Sequence, residues 1–134
     1  MKVFAIRLKP NQDLKLSLQD FATQQNIQAG FILTGMGSLK KAILRFANQR
    51  YSTAFNDKFE IISLNGTLAT SGLHLQIAIA NREGKTIGGQ LMEGCIIYTT
   101  AEIVIGASEE LTFSRTMDEQ TGYKELEIFP NTNY

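Results

Sequence analysis

The sequence predicts an α+β fold in one domain: a mostly antiparallel sheet with one main flanking helix. Three observations carry this. Apolar residues alternate over short β-prone runs along most of the chain. Only one segment, beginning near residue 13, switches to helical spacing. The turn-forming residues Gly, Asn and Pro recur between the runs, and no linker, repeat or low-complexity stretch divides the 134 residues.

The elements follow in order. VFAIRL (residues 3–8) is a short strand stopped by Pro10. Asp13 is placed to cap a helix in which Leu14, Leu18, Phe21 and Ala22 share a face. Leu16 falls off that face; Lys15, Gln19, Asp20 and Gln24 make the wet side, and Asn26 is a left-handed stop. GFILTGMGS (residues 30–38) reads as an apolar strand broken by Gly35 and Gly37, with KKAILRFA as a second segment. In FEIISLNGTLA, Asn65 and Gly66 signal a tight turn or a bulge. LHLQIAIA (residues 73–80) alternates: Leu73, Leu75, Ile77 and Ile79 one way, His74, Gln76, Ala78 and Ala80 the other. Residues 81–84 read as a hairpin loop, followed by the short GGQLMEG. CIIYTTAEIVIGAS is apolar on both faces, which requires cover on both sides, by the helix and by a second subunit. LTFSRTMD and KELEIF end the pattern, with a polar tail PNTNY.

Composition excludes several function classes. Thirteen basic and thirteen acidic residues balance, so no global field draws the chain to nucleic acid or an anionic membrane. Its single cysteine, Cys95, allows no internal disulfide, which fits a reducing, cytoplasmic setting. No apolar run approaches the roughly 20 residues of a membrane-spanning helix.

Gly84, Lys85 and Thr86 look like the end of a phosphate loop, but the position of its first glycine is Ile79. Gly35 and Gly37 open a dinucleotide fingerprint whose third glycine is replaced by Lys40. Both are rejected, and the glycines are read as a bend or close backbone packing. Cys95 sits in an apolar run and reads as a buried small hydrophobe. Ser38, beside Gly37, looks exposed. Nothing in the spacing brings Glu93 and Glu102 together, and no catalytic residue is assigned. His74 and Gln76 lie two apart on one strand face, the spacing of a chelating pair, but an amide is a poor zinc ligand. Lys40, Lys41 and Arg45 form the best basic cluster, with Lys41 and Arg45 on one strand face and Lys40 on the other.

The segments IQAGFILTGMGSLKKAILR, FEIISLNGTLA, GLHLQIAI and GKTIGGQLMEGCIIYTTAEIVI, in this order, resemble the PPC domain, over about residues 5–113. This domain occurs as stand-alone prokaryotic proteins and in plant nuclear proteins behind a DNA-binding AT-hook. The resemblance implies a homotrimer of α+β subunits. Many prokaryotic members carry G-x-H-x-H and then G-G-H, three histidines that look like a metal site. Here the positions hold His74, Gln76 and Gln90, so no metal and no cofactor is expected. His74, Gln76 and Gln90, with Thr34, Gly35, Gly37 and Ser38, are the pocket candidates. Lys40, Lys41 and Arg45 are the nucleic-acid candidates.

The expected function is that of a non-enzymatic homotrimeric PPC-like protein, a DNA-associated or regulatory scaffold. The alternative is a small-molecule-binding protein or enzyme with an inter-subunit pocket at the degenerate metal site. The partners considered are further copies of the chain, DNA, another protein or a small molecule, and no membrane.

Overall fold

The computed structural model describes residues 1–132. Its elements are β1 (Lys2–Leu8), α1 (Leu14–Gln24), β2 (Gly30–Arg45), β3 (Thr53–Phe55), β4 (Phe59–Ala69), β5 (Gly72–Ala80), β6 (Thr86–Leu91), β7 (Ile96–Ala107), β8 (Leu111–Met117) and β9 (Lys124–Pro130). Seven strands form one antiparallel sheet in the order β1-β7-β2-β4-β5-β6, with β3 against β2. β8 and β9 make a separate hairpin. The expected α+β class, mainly antiparallel with one helix, is the observed one.

The helix begins where the chemistry requires. The Asp13 carboxylate accepts the Leu16 N–H at 3.0 Å and, with its other oxygen, the Gly94 N–H at 2.7 Å. One side chain thus caps α1 and ties it to the loop before β7. Leu14, Leu18 and Ala22 are fully buried on the inner face, while Leu16 is exposed. Phe21 packs edge-on against Phe4 of β1, with ring centroids 5.3 Å apart. Asn26 has φ 51° and ends the helix in the left-handed conformation, as its position predicts.

β2 departs from expectation. Gly35 and Gly37 do not break it; it runs for 16 residues through both. It bends instead, through register shifts against β7 between Ile32 and Thr34, Gly37 and Leu39, and Leu39 and Lys41. Gly37 has φ 150°, and a Cβ there would lie 2.3 Å from the Thr100 carbonyl oxygen. The glycine permits a close approach of β7, the packing role its position predicts. The bend has a topological result. β4 pairs with the first part of β2, while β6 reaches its last residues through Leu44↔Leu91 and Arg45↔Gln90. The path β2–β4–β5–β6 therefore returns to β2 and closes.

The Asn65–Gly66 signal is also resolved differently. β4 continues through both residues in unbroken register with β5, and the turn falls after Ala69. Gly66, at φ 130°, is needed because a Cβ would sit 2.1 Å from the His74 carbonyl oxygen. The bulge in this pair lies earlier, between Ile61 and Ser63. β5 alternates as predicted, with Leu75, Ile77 and Ile79 buried and His74 and Gln76 exposed.

β7 is covered on both faces only toward its end. Ile103, Ile105, Gly106 and Ala107 are buried, whereas Tyr98, Thr99 and Glu102 are exposed. Together with Leu33 and Met36 of β2 and Ile62 of β4, Tyr98 leaves large apolar side chains exposed on three adjacent strands. The predicted tail PNTNY lies partly outside the described residues, at 133–134.

Candidate functional site

Strand register builds the site. Asn65 of β4 pairs with Gln76 of β5, Gln76 with Gln90 of β6, and Gln90 with Arg45 of β2. Residues directly opposite in antiparallel strands project to the same face. The closing sheet therefore carries a continuous cross-strand row, Asn65–Gln76–Gln90–Arg45. Two residues along each strand the same face carries Ser63, Ala78 and Gly88, again mutually paired. On the other side of the polar row lie His74 and its partner Thr67. A row of minimal side chains beside a row of long polar ones leaves a hollow.

That hollow is a cavity of about 1000 Å³. Besides the row residues, the loop after β2 supplies Phe46, Asn48, Gln49 and Arg50, and the β8–β9 hairpin supplies Tyr123 at its tip. Asn48, at φ 55°, turns this loop in the left-handed conformation that asparagine tolerates. The hairpin is pinned to the sheet: Ser71 Oγ donates to the Phe113 carbonyl at 2.9 Å, and Arg115 donates to Thr67 Oγ1 at 3.0 Å.

Within the cavity, Arg45 Nη2 donates to Gln90 Oε1 at 2.5 Å. This bond fixes the Gln90 amide with its oxygen toward Arg45, which leaves the Gln90 N–H groups as donors. The His74 pKa is lowered below the ordinary histidine value, first by partial burial and then by the Arg115 guanidinium, with Arg45 and Lys15 adding and Glu125 opposing. This favours the neutral imidazole, a hydrogen-bonding group, over the cation.

The metal ligands that the resemblance brings to mind do not fit here. The three positions offer one imidazole and two amides, and the Gln90 oxygen already faces a guanidinium. Among the described residues no three His, Cys, Asp or Glu side chains gather where an ion would sit. A zinc site needs three or four imidazole, thiolate or carboxylate donors.

The other candidates lie elsewhere. Thr34, Gly35, Gly37 and Ser38 sit in the middle of β2 and do not line the cavity. Ser38 is not exposed, as its place beside Gly37 predicts, but buried: its Oγ lies 2.7 Å from Thr99 Oγ1 and accepts the Thr99 N–H at 3.1 Å. The bend at Gly37 turns it inward against β7. Cys95 is buried, its Sγ within 3.2 Å of the Ile43 N–H, and desolvation raises its pKa, so it is no nucleophile. Lys40 is exposed and bonds Asn11; Lys41 is half-buried; Arg45 is committed to the cavity. Of the three, Arg45 lines the cavity and the two lysines do not. Sequence reading missed Asn65, Ser63, the 46–50 loop and Tyr123, because only strand register and the hairpin's docking bring them to His74.

A family model, the Plants and Prokaryotes Conserved (PCC) domain, matches residues 1–109. The chain belongs to the PCC domain family. This is the PPC domain of the sequence resemblance. PCC membership covers the whole seven-stranded sheet and α1, while the β8–β9 hairpin lies beyond the matched residues. The PCC chain is 49% identical over 128 residues to the bifunctional protein GlmU of Synechococcus sp. strain JA-3-3Ab, covering 96% of the present chain but 21% of that protein. It therefore spans about a fifth of this curated relative's length. A solved structure from Salmonella, of a hypothetical protein, superposes with a TM-score of 0.95 at 41% identity, covering 97% of this chain and 94% of that one. A candidate DNA-binding protein from Bacteroides thetaiotaomicron shares the fold at a TM-score of 0.84 and 23% identity, covering 93% and 91% of the two chains.

Proposed function

We propose that this PCC domain is a non-enzymatic, homotrimeric binding module that holds a small polar ligand, not a metal, in the cavity at His74, Gln76 and Gln90. The observation that carries the reading is the cross-strand row Asn65–Gln76–Gln90–Arg45 beside a floor of Ser63, Ala78 and Gly88. Convergent polar groups on a rigid sheet around an accessible hollow are the usual form of a ligand site. Catalysis would need an activated nucleophile or a matched acid and base in contact; among the described residues His74 is the one titratable group of the cavity besides its arginines and Tyr123. Trimerisation is supported by Leu33, Met36, Ile62 and Tyr98, exposed on adjacent strands, which a second copy would cover. The occurrence of a close relative within a much longer bifunctional protein suits a regulatory accessory domain.

The test is elemental analysis of the purified protein together with zinc titration. The expected result is no stoichiometric metal and no zinc binding at micromolar concentration; about one zinc per chain overturns the reading.

A DNA-associated scaffold is the second reading, favoured by the description of the Bacteroides neighbour. It requires that assembly gather Lys40 and Lys41 from several subunits, since two lysines neutralise few phosphates. Fluorescence anisotropy of a labelled AT-rich duplex at low and near-physiological salt tests it. Steeply salt-dependent binding supports it, and no binding at low salt removes it.

A further inference from the structure

The charge on the cavity wall is one-sided. The chain has 13 acidic and 13 basic residues, yet the residues lining this hollow include Arg45 and Arg50 and not one Asp or Glu. The smaller groove lined by β1 and α1 differs, with Asp20 in its lining as well as Arg7 and Lys9. Glu125, whose field reaches His74, lies outside this lining, and the two arginines on the wall give the cavity a positive potential, which low-dielectric walls focus. Arg45 is the fixed point of this field. One of its five N–H donors goes to Gln90, and the remaining donors stay available to an acceptor. A guanidinium presenting parallel N–H groups matches the oxygens of a phosphate.

The neutral part of the wall carries a second message. Asn48, Gln49, Asn65, Gln76 and Gln90 are five carboxamides, and Ser63 adds a hydroxyl. A carboxamide both donates and accepts, as does an alcohol. A wall of amides therefore complements a ligand rich in hydroxyl groups better than it complements an apolar or a purely anionic one. Phe46 and Tyr123 give the C–H face of a ring a surface to lie on. The minimal side chains of Ala78 and Gly88 set the depth that such a ring needs.

We propose that the cavity takes a phosphorylated monosaccharide, its phosphate against Arg45 at the end of the row and its hydroxyls along Asn65, Gln76 and Gln90. This deepens, and rests on, the reading of the cavity as a metal-free ligand site. Arg50, exposed in the loop after β2 and 5.9 Å from the Tyr51 ring centroid, adds a second cation to the wall.

Isothermal titration of the intact protein at low salt, with glucose 6-phosphate, glucose and inorganic phosphate as separate probes, tests it. Glucose 6-phosphate should bind at least about tenfold more tightly than either of the others, because both halves of the wall are then used. Arg45→Met should lose about tenfold or more of that affinity. Ala78→Leu, which fills the floor and removes no hydrogen-bonding group, should abolish binding; circular dichroism and the melting temperature verify that both variants fold. Should Ala78→Leu prove unfolded, Gln76→Leu replaces it, with the same loss expected. Glucose binding as tightly as glucose 6-phosphate, or Arg45→Met binding like the wild type, overturns the phosphate assignment and leaves the ligand-site reading standing. No binding of any probe overturns the sugar-phosphate assignment, and only stoichiometric zinc in the companion titration overturns the ligand-site reading as well.

Discussion

His74 shows how one side chain changes its meaning with its neighbours. On the strand pattern alone it is the exposed partner of Gln76, and beside two histidines it would be a metal ligand. In the fold it faces Arg115 and Arg45, and its pKa is lowered, with partial burial as the main cause. The native state therefore binds the proton less well than the unfolded chain, whose histidine titrates near about 6.5. Between the lowered native value and about 6.5 the unfolded state carries more protons, so stability rises with pH in that window. The expected outcome is a melting temperature that falls as pH is lowered from about 7 through 6.5. It should fall less in His74→Gln, where the difference between the two profiles isolates the imidazole. A wild-type profile identical to that of the variant would remove this account. At the same scale, Ser38 and Gly66 explain two misreadings. Local sequence suggests exposure for Ser38 and a tight turn or bulge at Gly66, and both are governed by a strand that is distant in sequence: β7 for Ser38 and β5 for Gly66.

The elements were legible to the degree that their signals are local. The helix could be read from Asp13 to Asn26 because capping, amphipathic spacing and a left-handed stop all lie within one short segment. β5 was equally clear, since alternation over its nine residues needs no partner to interpret. β3 went unseen because three residues carry no period. The length of β2 was hidden because its glycines act through bends that leave the strand continuous. Least legible was the ring closure, which depends on which residues of β2 and β6 meet. So the sequence contains His74, Gln76 and Gln90 as candidates but not Asn65 or Arg45 as their row mates. The Asp13 cap is the element-scale feature most open to test. Asp13→Ala removes the bond to the Leu16 N–H and the bond to the Gly94 N–H together. The expected cost is roughly 1–2 kcal/mol, with α1 still formed by its buried leucines. Chemical denaturation should show that loss, and Asp13→Asn should recover part of it.

At the scale of the whole molecule the unfinished feature is the sheet's outer face. Met36 and Ile62 are both about 60% exposed, at 62% and 59%, and Leu33 and Tyr98 lie on the same group of strands. One basic contact is present, Lys58 Nζ lying 4.7 Å from the Tyr98 ring centroid, and the other side chains of the patch face outward. Light scattering after size exclusion is expected to give three times the 14.9 kDa chain mass at micromolar concentration. Met36→Lys combined with Ile62→Lys should shift it to the monomer, because charges placed inside an apolar contact cannot be solvated there. A monomeric wild type would sink the trimer and with it any DNA surface that needs several copies.

The β8–β9 hairpin carries one further implication. The matched family core ends at residue 109, and the hairpin that follows delivers Tyr123 to the cavity from outside that core. The sheet row is set by the backbone register that closes the ring. The hairpin is held by a few bonds, at Ser71, Thr67 and Gln28, and its tip is free of that constraint. A change at the tip therefore alters one side of the hollow while the sheet's pairing underneath stays as it is. Reshaping the hollow there leaves the hydrogen-bonded frame of the sheet intact.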